Sequence, residues 1–312
     1  MFGRRRRERA QEPQQQPQDP ELTFLTAEEA HTFRGLVIDA FAAGGLHVRP
    51  ARGAVIAEDG RAFGLWNLAV ACVKASPDPR AWGAIVHGHV ETLLNPPLAA
   101  ADLSDQDMIG IVHARVLPAA ALSEPGTPLT AEQARPVAEG VVEVLALDFP
   151  DSVQMLGGDA LAGRDVEALW AAGRARTLAT PIEDREDLEV QPGAVLTLLS
   201  SESYFFAGRI LDMPALLHEV YGPRALPRGV VVGAPHRHGI VLHAVEGAGS
   251  VQAISAAAQF VARSSSGAAG ALSPHLYWWD GAALHTISRP NGQGGVAVEA
   301  RGAFADMVGS LH

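Results

Sequence analysis

The sequence predicts an α+β fold of mostly antiparallel sheets built from hairpins, with helices packed on them. Three observations point there. Asp59-Gly60 and Asp280-Gly281 each divide two strand-like runs, the pairing that suits a tight turn with positive φ at its centre. Between such runs lie segments with a 3.6-residue apolar period. The strands come in pairs, not singly in alternation with helices as a doubly wound parallel sheet would require.

In chain order, Arg4 to Arg7 and the Gln- and Pro-rich residues behind them offer little apolar surface, so residues 1–21 read as a disordered tail. Order begins at Thr26-Ala27-Glu28-Glu29, a capping box, followed by a helix that buries Ala30, Phe33, Val37 and Phe41 and stops at Gly44-Gly45. Strand-like runs follow at 46–48, 54–57 and 61–66. Asp78-Pro79 opens a helix carrying Trp82, Val86 and Val90. His87 and His89 on it do not share a face. Met108 to Val116 reads as an isolated strand between Pro- and Ala-rich stretches, and a domain boundary is expected near 130. The expected units are therefore 22–130 and 131–312. Beyond the boundary, 141–147 and 152–156 read as strands, 165–176 as a helix, and 188–199 as a strand pair broken at Gln191-Pro192-Gly193. The two halves share the order helix, hairpin, helix, strand, which suggests similar sub-domains, although no sequence repeat accompanies it.

The densest signals lie between Ser203 and Ser264. Asp212 stands at an N-cap position, Pro214 in the first turn, and Gly222-Pro223 ends a helix expected at 213–221. Gly229 to Ala234 and Ile240 to Val245 are aliphatic strands around Pro235-His236-Arg237-His238-Gly239. Ser250 then caps a helix with Val251, Ile254, Ala258 and Val261 on one side. Tyr204-Phe205-Phe206, Leu216-Leu217 and Ala234-Pro235-His236 resemble the C-terminal part of the YtpQ-like bacterial family, a domain of unknown function numbered 1444. Ala146-Leu147-Asp148 and Ser152-Val153-Gln154 extend the similarity upstream. The family places a Tyr-Phe-Phe strand before the helix. Here the loop after that strand is shorter, with Ala207-Gly208-Arg209, and His238-Gly239 stand where an acidic residue usually follows. The resemblance implies a cytoplasmic bacterial protein and brings no catalytic assignment.

Composition narrows the chemistry. A net charge of -11 over 312 residues argues against a nucleic-acid-binding body. Lys74 is the single lysine and no phosphate-binding loop surrounds it. The one cysteine, Cys72, excludes a disulfide within the chain and reads as a small buried hydrophobe. No apolar run reaches the roughly 20 residues of a membrane span. No nucleophile elbow, zinc-helix motif, Cys-x-x-Cys or dinucleotide fingerprint is present.

The best constellation is His236, His238 and His243. A straight strand would separate His243 from His238 by on the order of 16 Å, too far for one metal. His236 and His238 would need a third ligand, for which His218 and His275 are the candidates; no metal and no cofactor is expected. The favoured expectation is a protein- or peptide-binding module in which His236, Arg237 and His238 form an exposed turn at a sheet edge. Arg237 would offer its fork to an acidic partner, and contact would strengthen as pH falls toward 6. The alternative is a hydrolase, metal-dependent or not, using His236 and His238 with Asp212 or Glu219.

Overall fold

A computed structural model describes residues 17–51, 53–58, 61–95, 100–124, 127–149, 152–266, 268, 270–291 and 295–311. The chain divides into two compact units, one of Met1–Ala57 with Phe63–Glu91, the other of Glu58–Ala62 with Thr92–His312. The Asp59-Gly60 turn and most of the expected tail lie outside the described residues.

The first unit begins before the expected tail ends. Asp19 is buried, accepts backbone N–H groups from Glu21 and Leu22, and takes both forks of Arg34 at 2.8 and 2.9 Å. Residues 17–21 are thus tied into the fold. Helix α1 (Ala27–Ala43) carries the expected capping box of Thr26 and Glu29 and buries Phe33, Val37 and Phe41. Strands β1 (Val48–Ala51), β2 (Ala54–Ala57) and β3 (Ala62–Gly64) form one sheet in that order. The run holding Cys72 forms helix α2 (Trp66–Ala75), and α3 (Gly83–Leu94) follows. Trp82, just before α3, is edge-on to Phe33 and donates its Nε1–H to the Ser76 carbonyl.

The second unit is built on a four-stranded and a six-stranded sheet, with a separate two-stranded ladder near its end. Helix α4 (Asp105–Ile111), capped by Ser104, leads into β4 (Val112–Pro118). The expected strand at 108–116 is therefore half helix, and it is not isolated. All seven residues of β4 pair with β6 (Val141–Phe149), from Val112 opposite Leu147 to Pro118 opposite Val141. That ladder crosses position 130, which is why no boundary falls there. Strands β5 (Arg135–Ala138) and β7 (Ser152–Met155) also pair with β6. After the short α5 (Gly158–Leu161), α6 (Val166–Leu178) packs on β4 and buries Leu169 and Trp170.

The larger sheet runs β13-β12-β10-β11-β9-β8. Its strands are β8 (Asp184–Gln191), β9 (Ala194–Ser200), β10 (Val230–His236), β11 (Gly239–Ala244), β12 (Leu276–Trp279) and β13 (Leu284–Thr286). Side chains alternate in direction along a strand, so the largely aliphatic β10 and β11 must be covered on both sides. On one side Val230, Val232, Ile240 and Leu242 meet Phe206, Met213, Leu216 and Val220, the last three from α7 (Met213–Tyr221). On the other, Val231, Val241 and Leu276 meet Ala253, Ile254, Ala257 and Val261 of α8 (Ser250–Ser265). Fully burying a side chain such as Ile254 contributes roughly 1.5–3 kcal/mol. Asp212 caps α7 through the Ala215 N–H as expected, whereas Ser250 is the first residue of α8 and accepts the Glu246 N–H. Asp280-Gly281 does open a hairpin, with φ +105° at Gly281, but the loop has four residues and Asp280 Oδ1 accepts from Ala282 and Ala283. Strands β14 (Ser288–Pro290) and β15 (Val296–Val298) pair with each other, and α9 (Gly302–Gly309) sets Phe304 against Trp278. The result is an α+β fold of antiparallel sheets. Among the described residues no helix is long and apolar enough to cross a membrane.

Candidate functional site

The β10–β11 connection is tighter than the sequence suggests. His236 ends β10 opposite Gly239, leaving Arg237 and His238 as a two-residue turn. A β-carbon on Gly239 would meet the His236 ring at 2.7 Å, so any other residue there would push that imidazole aside. The two strands are central in their sheet, and the turn they carry is not presented to solvent at an edge. Arg237 is 7% exposed. The expectation of an exposed turn is corrected by what covers it.

The segment leaving β9 wraps the turn. Ser201 donates its N–H to the His238 carbonyl, and Ala207 donates to the Arg237 carbonyl. Arg237 in turn donates its N–H to Gly270, which is held at φ +65° with the arginine stem lying where a β-carbon would be. These bonds satisfy the turn's backbone without water. They also bring Tyr204 over the arginine, with the guanidinium 4.1 Å from the ring centroid. Tyr204 itself is 41% exposed.

The hydrogen bonds fix the protonation of both imidazoles. Arg237 Nε–H can only donate, so His238 Nε2, 2.8 Å away, accepts with its lone pair. The proton of His238 therefore sits on Nδ1, which donates to the Ser201 carbonyl at 3.0 Å. His236 Nδ1 accepts the His238 backbone N–H, so its proton is on Nε2. Burial lowers the pKa of both rings, and the Arg237 charge lowers each further. The pair is neutral at pH 7, and the strengthening of contact expected toward pH 6 shifts to lower pH.

A residue from another element completes the cluster. Arg115, half-buried on β4, lies within electrostatic reach of Arg237 and Tyr204. Its Nε is buried and meets no acceptor among the described residues. Burial, and then the Arg237 charge, push its pKa down to about 10, so it is still a cation at neutral pH. Two residues earlier on the strand, His113 stacks on Phe205 with ring centroids 3.9 Å apart, and its Nδ1 is 3.3 Å from the Thr177 hydroxyl. Thr177 donates its single hydroxyl proton to the Ala114 carbonyl, so His113 is the donor in that contact. Sequence reasoning missed Arg115 and His113. The available signal was their two-residue spacing in an otherwise apolar strand, which puts both on one face.

The remaining expected groups are placed elsewhere. Tyr204-Phe205-Phe206 is not a strand but leads into a 3-10 helix, Phe206–Asp212. His243 donates from Nδ1 to the Val195 carbonyl at 2.7 Å, just past Thr197–Leu242 where the β9–β11 ladder stops. It lines a cleft of about 370 Å³ with Arg185, Thr197, Tyr221, Arg224 and Glu246. His236 borders a separate cavity of about 240 Å³ with Asp184, Glu186 and Phe260. His275 bonds the Ser288 carbonyl through Nδ1. Asp212 caps α7 and Glu219 pairs with Arg209, so neither carboxylate is bonded to His236 or His238. Cys72 is buried, and burial pushes its thiol up to about 11, away from nucleophilic use. Among the described residues no group of three or more His, Cys, Asp and Glu side chains could hold a metal ion. No family model, curated protein or solved structure matches the chain.

Proposed function

We propose that the chain is a binding module that receives an acidic protein or peptide at the corner formed by Tyr204 and the Arg237-His238 turn. One observation carries this reading: an exposed tyrosine ring rests on a buried arginine that the backbone holds in place. Aromatic side chains on a rigid base lose little entropy on contact and dominate interface energetics. The acidic character follows from Arg115 and Arg237, two cations close together in a chain of net charge -11. The hydrolase alternative has less support, because Asp212 and Glu219 are occupied away from the imidazoles.

Kinship with the YtpQ-like family and a cytoplasmic bacterial setting belong to the same proposal. The single free cysteine supports the latter, since chains in oxidising compartments more often carry paired thiols.

The test uses Tyr204, whose ring is partly in solvent. Wild-type protein and Tyr204→Ala, each shown to be folded by a cooperative thermal melt, are immobilised and exposed to lysate. Loss of a specific partner from the variant is the expected result. An identical partner set on both would remove the reading.

A further inference from the structure

We infer that Arg115 is an oxyanion receptor, and that the group it takes is a carboxylate or phosphate carried by whatever docks against Tyr204. The inference rests on the binding reading above and names the chemical group that reading leaves open. It also moves the recognition role from the turn to a residue on β4.

The Arg237 fork is already engaged. Its Nε–H is given to His238, its guanidinium face lies on Tyr204, and its stem is packed against Gly270. Arg115 differs. Its Nε–H is buried without an acceptor, and no carboxylate among the described residues stabilises its charge. A guanidinium stays protonated in such a place, so the charge persists. A second cation beside it makes the position worse, not better. The cost of a half-buried, unpaired cation is large enough that an apolar residue would serve β4 better if stability were the only demand. An anion reverses the balance: it would accept from the orphaned Nε–H and be attracted by both guanidiniums at once. Tyr204 is partly exposed and within electrostatic reach of both cations, so a group that docks on its ring comes close to them. His238 adds no charge, because its Nε2 is the acceptor for Arg237.

The experiment follows arginine Nε–Hε resonances of the full-length, ¹⁵N-labelled protein during titration with sodium acetate and, separately, sodium phosphate. Sodium chloride at equal ionic strength is the reference. One resonance, missing from Arg115→Lys, is expected to move saturably with acetate or phosphate and not with chloride. The same titrations followed at the Tyr204 backbone amide should show at least tenfold weaker anion binding in Arg115→Lys than in the wild type. The arm that saturates at lower concentration distinguishes a carboxylate-bearing from a phosphorylated partner. If no Nε–Hε resonance of the wild type moves saturably with either anion, the inference fails, whether or not Arg115→Lys folds. Equal binding by a folded Arg115→Lys would also overturn it. Partner capture through Tyr204 is read independently, so loss of one result leaves the other standing.

Discussion

The guanidinium of Arg237 lies 4.1 Å from the centre of the Tyr204 ring, with the arginine buried and the tyrosine partly in solvent. An exposed cation–π contact contributes about 0.5–1 kcal/mol and a desolvated one about 2. The pair should therefore couple by about 1–2 kcal/mol in a double-mutant cycle of Tyr204→Leu and Arg237→Met, measured by urea unfolding. Coupling indistinguishable from zero would mean that packing alone holds the corner together.

His113 makes the fold sensitive to acid. Burial, and then the Arg176 charge, lower its pKa to about 4, against about 6.5 for a free imidazole. Between those values the unfolded chain binds a proton that the folded chain refuses, so stability is complete above about pH 6.5 and declines as pH falls toward 4. Asp148, whose Oδ2 is 3.9 Å from His113 Nε2, has its pKa raised by burial and contributes with the opposite sign. His113→Gln should flatten the decline between pH 6.5 and 4, and Asp148→Asn should steepen it. Urea midpoints at four pH values separate the two. An unchanged slope in His113→Gln would show that other groups set the acid response.

Asp19 anchors the start of the first unit. Arg34 holds its carboxyl well below the usual carboxylate range, chiefly through their direct hydrogen bonds. Hydrogen bonds to charged groups contribute about 1.5–3 kcal/mol, so Asp19→Ala should cost about 2 kcal/mol. Because the folded pKa is depressed, that contribution is present above the unfolded value near 3.9 and is lost as pH falls through the folded one. Matching melts of wild type and Asp19→Ala at pH 7 would show that residues 17–21 add nothing to the fold.

Local signals were legible where one residue does one job. Thr26 with Glu29, Asp212 with Pro214, and the positive φ of Gly281 could all be read because capping and turn chemistry act over a few residues. The strand read over Met108 to Val116 failed in its first half because a short apolar stretch fits a buried strand and a buried helix equally well, and Asp105–Ile111 is helix α4. The β4–β6 ladder was invisible for a different reason: its register depends on pairing across more than twenty residues, which no local pattern encodes. The same limit governs the candidate site. His236, Arg237 and His238 were found from their run, but that Ser201 and Ala207 bury the turn, and that Arg115 arrives from another sheet, are tertiary facts.

Glu143 and Arg174 give the sharpest test of the smaller sheet. Glu143 sits in the middle of β6, fully buried between β4 and β5, and Arg174 of α6 meets both its oxygens at 2.6 to 3.1 Å. The arginine side chain is 44% exposed and the glutamate not at all. The two partners should therefore respond unequally to loss of the other. Arg174→Met leaves a carboxylate with no route to water and should cost about 3–5 kcal/mol, the range for breaking a buried pair from one side. Glu143→Leu leaves an arginine that can turn to solvent, and should cost much less. Replacing both removes the desolvated charge together with its partner, so the double variant should recover most of the loss in Arg174→Met. Urea unfolding of all four proteins decides it. A double variant as unstable as Arg174→Met would show that the ion pair is needed for the register of β4, β5 and β6 and not only for its own neutrality.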